Sequence, residues 1–178
     1  MEGFKLLKTL TLGKGQTMEI KMNESEPEDS VNRWAIDTVC TGEEALEVPP
    51  HWHKNHQEHF TVLEGRLEMT MDGKKTVVKA GDPTFLVQRK VVHSVKALEG
   101  ERVVFREQPD PAGEYKALFF NDVFSQGGFG GIMHTLRAFY DGDAYLALPL
   151  GSRMVDEAFL TVFGGLAHVF GAKKPQKL

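Results

Sequence analysis

Between Arg33 and Glu107 the chain is cut into eight short strand-like segments, each ended by a turn residue, and that rhythm most constrains the fold. The segments are Arg33–Cys40, Leu46–His53, Glu58–Leu63, Arg66–Met71, Thr76–Lys79, Pro83–Val87, Val91–Leu98 and Arg102–Glu107. Asp72-Gly73 is a strong hairpin signal, because both residue types accept the positive φ that a tight primed turn demands. Residues 4 to 22 read as two further strands around Gly13-Lys14-Gly15. Short strands at even spacing with turn residues between them predict an antiparallel sandwich or barrel, and no internal repeat suggests a tandem pair.

After Gln108-Pro109-Asp110-Pro111 the pattern changes. Glu114 to Phe124, Ile132 to Tyr140 and Met154 to Phe170 carry apolar residues three and four apart and read as helices. The division expected is therefore a barrel over 1–110 and a C-terminal helical extension over 111–178. The extension is expected to pack over the outside of the barrel or across a dimer interface, with a lid as the less favoured arrangement. Ser152 is the expected cap of the last helix. Gly127-Gly128-Phe129-Gly130-Gly131 reads as a hinge between helices, since no strand precedes it and no Gly-Lys-Ser/Thr ending follows.

At 178 residues the chain suffices for one domain with a sound core. A net charge of -4 and a pI of about 6.0 leave no basic face for nucleic acid. The N-terminus lacks the order of a secretory signal, and no apolar run is long enough to span a bilayer, so a cytoplasmic protein is expected. The single cysteine, Cys40, alternates with Trp34, Ile36 and Thr38 and reads as core filler.

Chemistry concentrates in four residues: His51, His53, Glu58 and His93. Alternate strand residues point to one face, so His51 and His53 present their rings together. The polar stretch Lys54-Asn55-His56-Gln57 turns the chain back so that Glu58 is the first inward residue of the next strand. Imidazole and carboxylate together suit a divalent transition metal. Trp34, Phe60 and Phe85 are candidates to line a pocket beside it, as is His56, although a turn histidine is more simply solvated. His59 should point away if Glu58 points in, and His134 and His168 lie in helical sequence with no evident carboxylate partner.

His51-Trp52-His53, Glu58 and Gly65 resemble the first signature of the cupin superfamily, and the stretch from Gly81 to His93 resembles the second. The resemblance covers about residues 30 to 107. Gly42 lies nine residues before His51, further than the pattern has it, with Pro49-Pro50 on the approach. Gln88-Arg89-Lys90 replaces the usual Pro-x-Gly turn, His93 falls twelve residues after Gly81, and Ala97 stands where an asparagine is usual. The resemblance implies a double-sheet antiparallel barrel, commonly dimeric, holding one divalent metal per chain (iron, manganese, nickel, zinc or copper) on His51, His53, Glu58 and His93. It also implies a small-molecule substrate. Four ligands leave open positions for oxygenation, or for isomerisation, cyclisation or decarboxylation assisted by a Lewis acid; the first is slightly favoured. The alternative is a non-catalytic cupin that binds or senses a small molecule.

Overall fold

The computed structural model describes residues 3–124, 130–171, 174–175 and 177–178. Among the described residues, eleven strands form two antiparallel sheets. In chain order these are β1 (Lys5–Gly13), β2 (Gln16–Met22), β3 (Trp34–Cys40), β4 (Leu46–Trp52), β5 (Gln57–Glu64) and β6 (Arg66–Met71). They continue with β7 (Lys74–Lys79), β8 (Phe85–Val87), β9 (His93–Ala97), β10 (Val103–Asp110) and β11 (Tyr145–Leu146). One sheet runs β1-β2-β3-β10-β5-β8 and the other β11-β4-β9-β6-β7.

The turn chemistry read from the sequence is realised. Asp72 and Gly73 both take positive φ, 43° and 81°, and join β6 to β7 in continuous register. Pro49 and Pro50 have no N–H to give the ladder, and the pairing of β4 with β9 shifts between Val48 and His51. Beyond that irregularity His51 stands directly opposite His93.

The inward faces of both sheets meet in one core that includes Cys40, Phe60 and Val62 from the larger sheet and Leu67, Met69 and Val95 from the smaller. Burial pushes the Cys40 thiol up to about 11, so it packs as an apolar side chain. The central strand β3 is buried on both faces. Its Asp37 is held by Arg106 of β10 through two bonds of 2.7 and 2.8 Å, and by Lys21 of β2 at 2.8 Å. Burial alone would raise the Asp37 carboxyl, but these two cations outweigh it and hold it below its ordinary value.

The helices are α1 (Tyr115–Phe124), α2 (Ile132–Asp141), α3 (Arg153–Phe159) and α4 (Gly165–Phe170), the last two joined by a π-helical turn over Leu160–Gly164. Three expectations change here. The single helix over 154–170 is broken by that wide turn. Ser152 precedes α3 without a side-chain capping bond; its carbonyl accepts from Val155 and Asp156 instead. His134 and His168 do have carboxylate partners, Asp122 at 3.1 Å and Asp141 at 2.6 Å, within an ionic network that also contains the buried Arg137. Residues 125–129 of the expected glycine hinge lie outside the described residues.

The extension is also not confined to the outside of the barrel. Residues of α1 pack on the inner side of the larger sheet, with Ala117 beside Trp34, Ile20 and Ile36, and β11 adds an edge strand to the smaller sheet. The indole of Trp52 stacks on Tyr145 at 4.3 Å and donates to Asp156 at 3.0 Å, which ties β4 to α3. Barrel and extension share one interior. No described helix is long and apolar enough to cross a membrane.

Candidate metal centre

The four residues singled out in the sequence are brought together across the gap between the sheets. Strand alternation puts His51 and His53 on the inner face of β4 and its end, while Trp52 between them turns to Tyr145. His93 opens β9 opposite His51, with ring centroids 4.2 Å apart. Glu58 comes from β5 in the other sheet and is buried, whereas its neighbour His59 turns outward toward Asp110. One potential donor atom from each of His51, His53, Glu58 and His93 lies within 4.8 Å of the others. Donors about 2.1 Å from a shared ion sit roughly 3–4 Å apart, so a small contraction would satisfy one.

The hydrogen bonds around the rings set their tautomers. His51 Nδ1 donates to the Pro49 carbonyl at 2.9 Å, His53 Nδ1 to the Asp143 carbonyl at 2.8 Å and His93 Nδ1 to the Val91 carbonyl at 3.1 Å. A carbonyl only accepts, so each Nδ1 carries the proton and each Nε2 keeps its lone pair. His53 Nε2 and His93 Nε2 each lie 3.1 Å from a Glu58 oxygen, but with the ring protons on Nδ1 these contacts set lone pair against lone pair, and His53 Nε2, His93 Nε2 and Glu58 Oε2 are buried without a hydrogen bond. Orphaned buried acceptors are costly, and three converging on one point are what a cation would satisfy. The residues present therefore fit a divalent metal.

Burial drives His51 well below its ordinary range, reinforced by His93 and His53, and brings His53 down to about 4 despite the Glu58 carboxylate beside it. Both are neutral at physiological pH, the form a metal needs. Burial opposes ionisation of Glu58, yet His53 and Lys116 hold its carboxyl well below the usual range.

Lys116, Glu107 and Asp143 belong to this site and were not expected from the sequence. Lys116, from the first turn of α1, reaches the Glu58 carboxylate with its ammonium, and lies 3.2 Å from Glu107 Oε1. Burial works against its charge, but Glu107 and Glu58 outweigh burial and raise its pKa. Glu107 is pushed up to about 8 by burial and by the charge of Glu58. Asp143 takes a positive φ of 57° after α2; its carbonyl holds His53, and its carboxylate accepts from His56 Nδ1 at 2.9 Å.

That bond corrects the reading of His56 as a solvated turn residue. It is 2% exposed, with Nε2 3.4 Å from Lys116 Nζ and 3.6 Å from Glu58 Oε1. With His53 and Asp143 it forms a second group of potential donors sharing His53 with the first.

A cavity of about 530 Å3 opens beside the cluster. His51, His53, Glu107 and Lys116 border it, as does Phe60, while Trp34, Phe85 and His56 do not. Trp34 shares the inward face of β3 with Thr38, which lines the cavity, but the helix α1 covers its end of the strand. Phe85 sits against the barrel core, stacked on Phe60 at 5.5 Å. Arg89 and Lys90, exposed in the turn before His93, also stand outside the lining.

Residues 38–106 match the family model of the cupin domain. Among solved structures the chain is similar to KdgF from Halomonas sp., with 20% identity, 61% of this chain and 89% of that one covered, and a TM-score of 0.47. It is also similar to an RmlC-like cupin from Shewanella frigidimarina NCIMB 400, with 22% identity, 60% and 86% covered, and a TM-score of 0.46. The cupin domain of Schizosaccharomyces pombe Cnp3 matches at 20% identity over 69% of this chain and 78% of that one, with a TM-score of 0.43. No curated protein matches the chain. The matched stretch runs from the end of β3 into the first half of β10 and contains all four clustered donors, and over it the chain carries a cupin domain.

Proposed function

We propose that this protein is a metal-dependent enzyme acting on a small organic molecule, with His51, His53, Glu58 and His93 as the ligands of one divalent transition metal. The observation that carries the reading is the convergence of three buried atoms that make no hydrogen bond, His53 Nε2, His93 Nε2 and Glu58 Oε2, with the proton of each imidazole held on its far nitrogen. A bound ion would supply Lewis acidity, or with ferrous iron the means to use dioxygen. The protein's own groups position and exclude. Backbone carbonyls of Pro49, Asp143 and Val91 fix the ring planes, and apolar walls keep water from the reacting face.

Oxygenation is the leading reaction class, since a ligand set of this kind leaves positions for a chelating substrate and dioxygen. Isomerisation, cyclisation or decarboxylation is supported by a separate observation: Glu107, whose carboxyl is pushed up to about 8, borders the cavity beside Lys116 and is able to hold or deliver a proton there. A non-catalytic binding role is the remaining alternative. A cytoplasmic homodimer completes the reading, and sedimentation of the purified chain at micromolar concentration tests the oligomeric part.

Elemental analysis of protein purified without chelator tests the centre itself. The expected result is close to one metal per chain in the parent and a loss of most of it in His51→Ala and His93→Ala; equal content in all three overturns the proposal. Oxygen uptake with catechols, diketones and thiols under iron tests the oxygenase branch. Turnover under manganese or zinc without oxygen consumption would select the proton-transfer branch instead.

A further inference from the structure

The cavity has an uneven chemistry. Its polar side chains beside the donors, His51, His53, Glu107 and Lys116, sit together at one end. The rest of the wall is hydrocarbon from three directions: Leu46 and Val95 from the smaller sheet, Phe60 and Phe105 from the larger, Phe119 and Phe120 from α1. Gln16, one of the few polar residues elsewhere on the wall, has its amide N–H groups committed to the carbonyls of Glu44 and Ala45 at 3.2 and 3.1 Å. The exposed lining residues, Ala45, Glu47, Pro49 and Leu146, lie on one side, at β4 and β11, where the cavity meets solvent.

Resting on the metal-centre reading above, we propose that the ligand of this cavity is a hydrophobic small molecule, aromatic or fused-ring aliphatic, that carries its polar oxygens at one end. The oxygen-bearing head faces the histidines, Glu107 and Lys116. The hydrocarbon body lies between the phenylalanines of the larger sheet and those of α1. A volume near 530 Å3 is within the range that drug-sized ligands fill. A sugar or polyol is the wrong chemistry, because hydroxyls placed against Phe60, Phe105 and Val95 would lose their water partners and find none in exchange. Helix α1 is thereby a specificity element: it brings both an aromatic wall and the Lys116 ammonium.

Isothermal titration of the full chain, as purified and after loading with manganese, compares 2-naphthoate with glucuronate, two carboxylates that differ in an apolar against a hydroxylated body. The expected result is saturable binding of 2-naphthoate with glucuronate at least about tenfold weaker. Phe120→Ser and Leu46→Gln, both at half-buried wall positions, should each weaken 2-naphthoate by about tenfold while metal content stays near the parent value. Glucuronate binding as tightly as 2-naphthoate, no binding of 2-naphthoate, or an affinity unmoved by either variant overturns the proposal. The ligand comparison on the unaltered chain decides even if a variant folds poorly. Elemental analysis of the same samples separates the two readings. Metal retained without naphthoate binding sinks the cavity proposal alone, whereas naphthoate binding that the wall variants abolish, in protein that takes up no metal, sinks the metal centre alone.

Discussion

Lys116 is the residue on which the interior balances. Its ammonium is 2% exposed and lies between the Glu58 carboxylate and the buried carboxyl group of Glu107. Removing one partner of a buried ionic group leaves the others uncompensated, which typically costs about 3–5 kcal/mol. Lys116→Met, which keeps most of the stem and loses the charge, should therefore lower stability by about that amount in chelator, read by urea denaturation. A cation on Glu58 compensates the same carboxylate from the other side, so metal loading should recover part of the loss. Equal stability of parent and variant in chelator would mean that Glu58 and Glu107 do not depend on this lysine. The sequence did hold a trace of the arrangement. Lys116, Phe119, Phe120 and Val123 share a helical face at spacings of three, four and seven, and a lysine on such a face must find a buried partner. Glu107 follows Val103 and Phe105 on the inward face of β10 in the same way. Asp143 left no such trace, because its role depends on a carbonyl and a positive φ that no local pattern announces.

Among the elements, the β5–β6 hairpin positions Glu58 relative to the rest of the barrel through Gly65. That glycine has φ of 74°, and a Cβ there would stand 2.2 Å from the Arg102 carbonyl. The backbone oxygen has little freedom to retreat, so Gly65→Ala combines left-handed strain with a clash. It should cost roughly 1–3 kcal/mol, read as a lowered denaturation midpoint. Gly73 also takes a positive φ but meets nothing within 4 Å, so Gly73→Ala should cost less and serves as the control. Most strand boundaries were legible to within a residue or two, because alternation and turn residues are local signals; β10 runs three residues past its expected end, and the two-residue β11 was not foreseen. Where the helical extension would pack was not legible. An apolar helix face states that it is buried but not against what, and α1 found its place beside Trp34 and the cavity.

At the scale of the whole molecule, the buried site links stability to pH in two opposing directions. For His53 the folded pKa of about 4 lies below the ordinary 6.5, so its contribution is complete above about pH 6.5 and is lost as pH falls toward 4. A shift of that size is worth on the order of 3 kcal/mol, and His51 acts in the same direction. Glu107 has the opposite sign: raised from 4.5 to about 8, it stabilises fully below about pH 4.5 and loses its contribution as pH rises toward 8. Two histidines outweigh one carboxyl between pH 4.5 and 6.5, and the carboxyl alone acts above that. In chelator the urea midpoint should therefore be highest near pH 6.5, falling with a net slope of about one proton on either side down to pH 4.5 and up to pH 8. A midpoint that stays level from 6.5 to 8 would show Glu107 ionised in the folded protein.

The residue sequence alone determined the antiparallel barrel, its hairpins and the four donors, because strand alternation and turn propensity act over a few neighbours and place His51, His53, Glu58 and His93 on inward positions wherever the strands pair. Tertiary structure decided the environment of those donors. Lys116, Asp143, the buried state of His56 and the aromatic wall of α1 all arise from contacts between segments about sixty to ninety residues apart, where the stabilising term is burial between surfaces and carries no periodic signature in the chain.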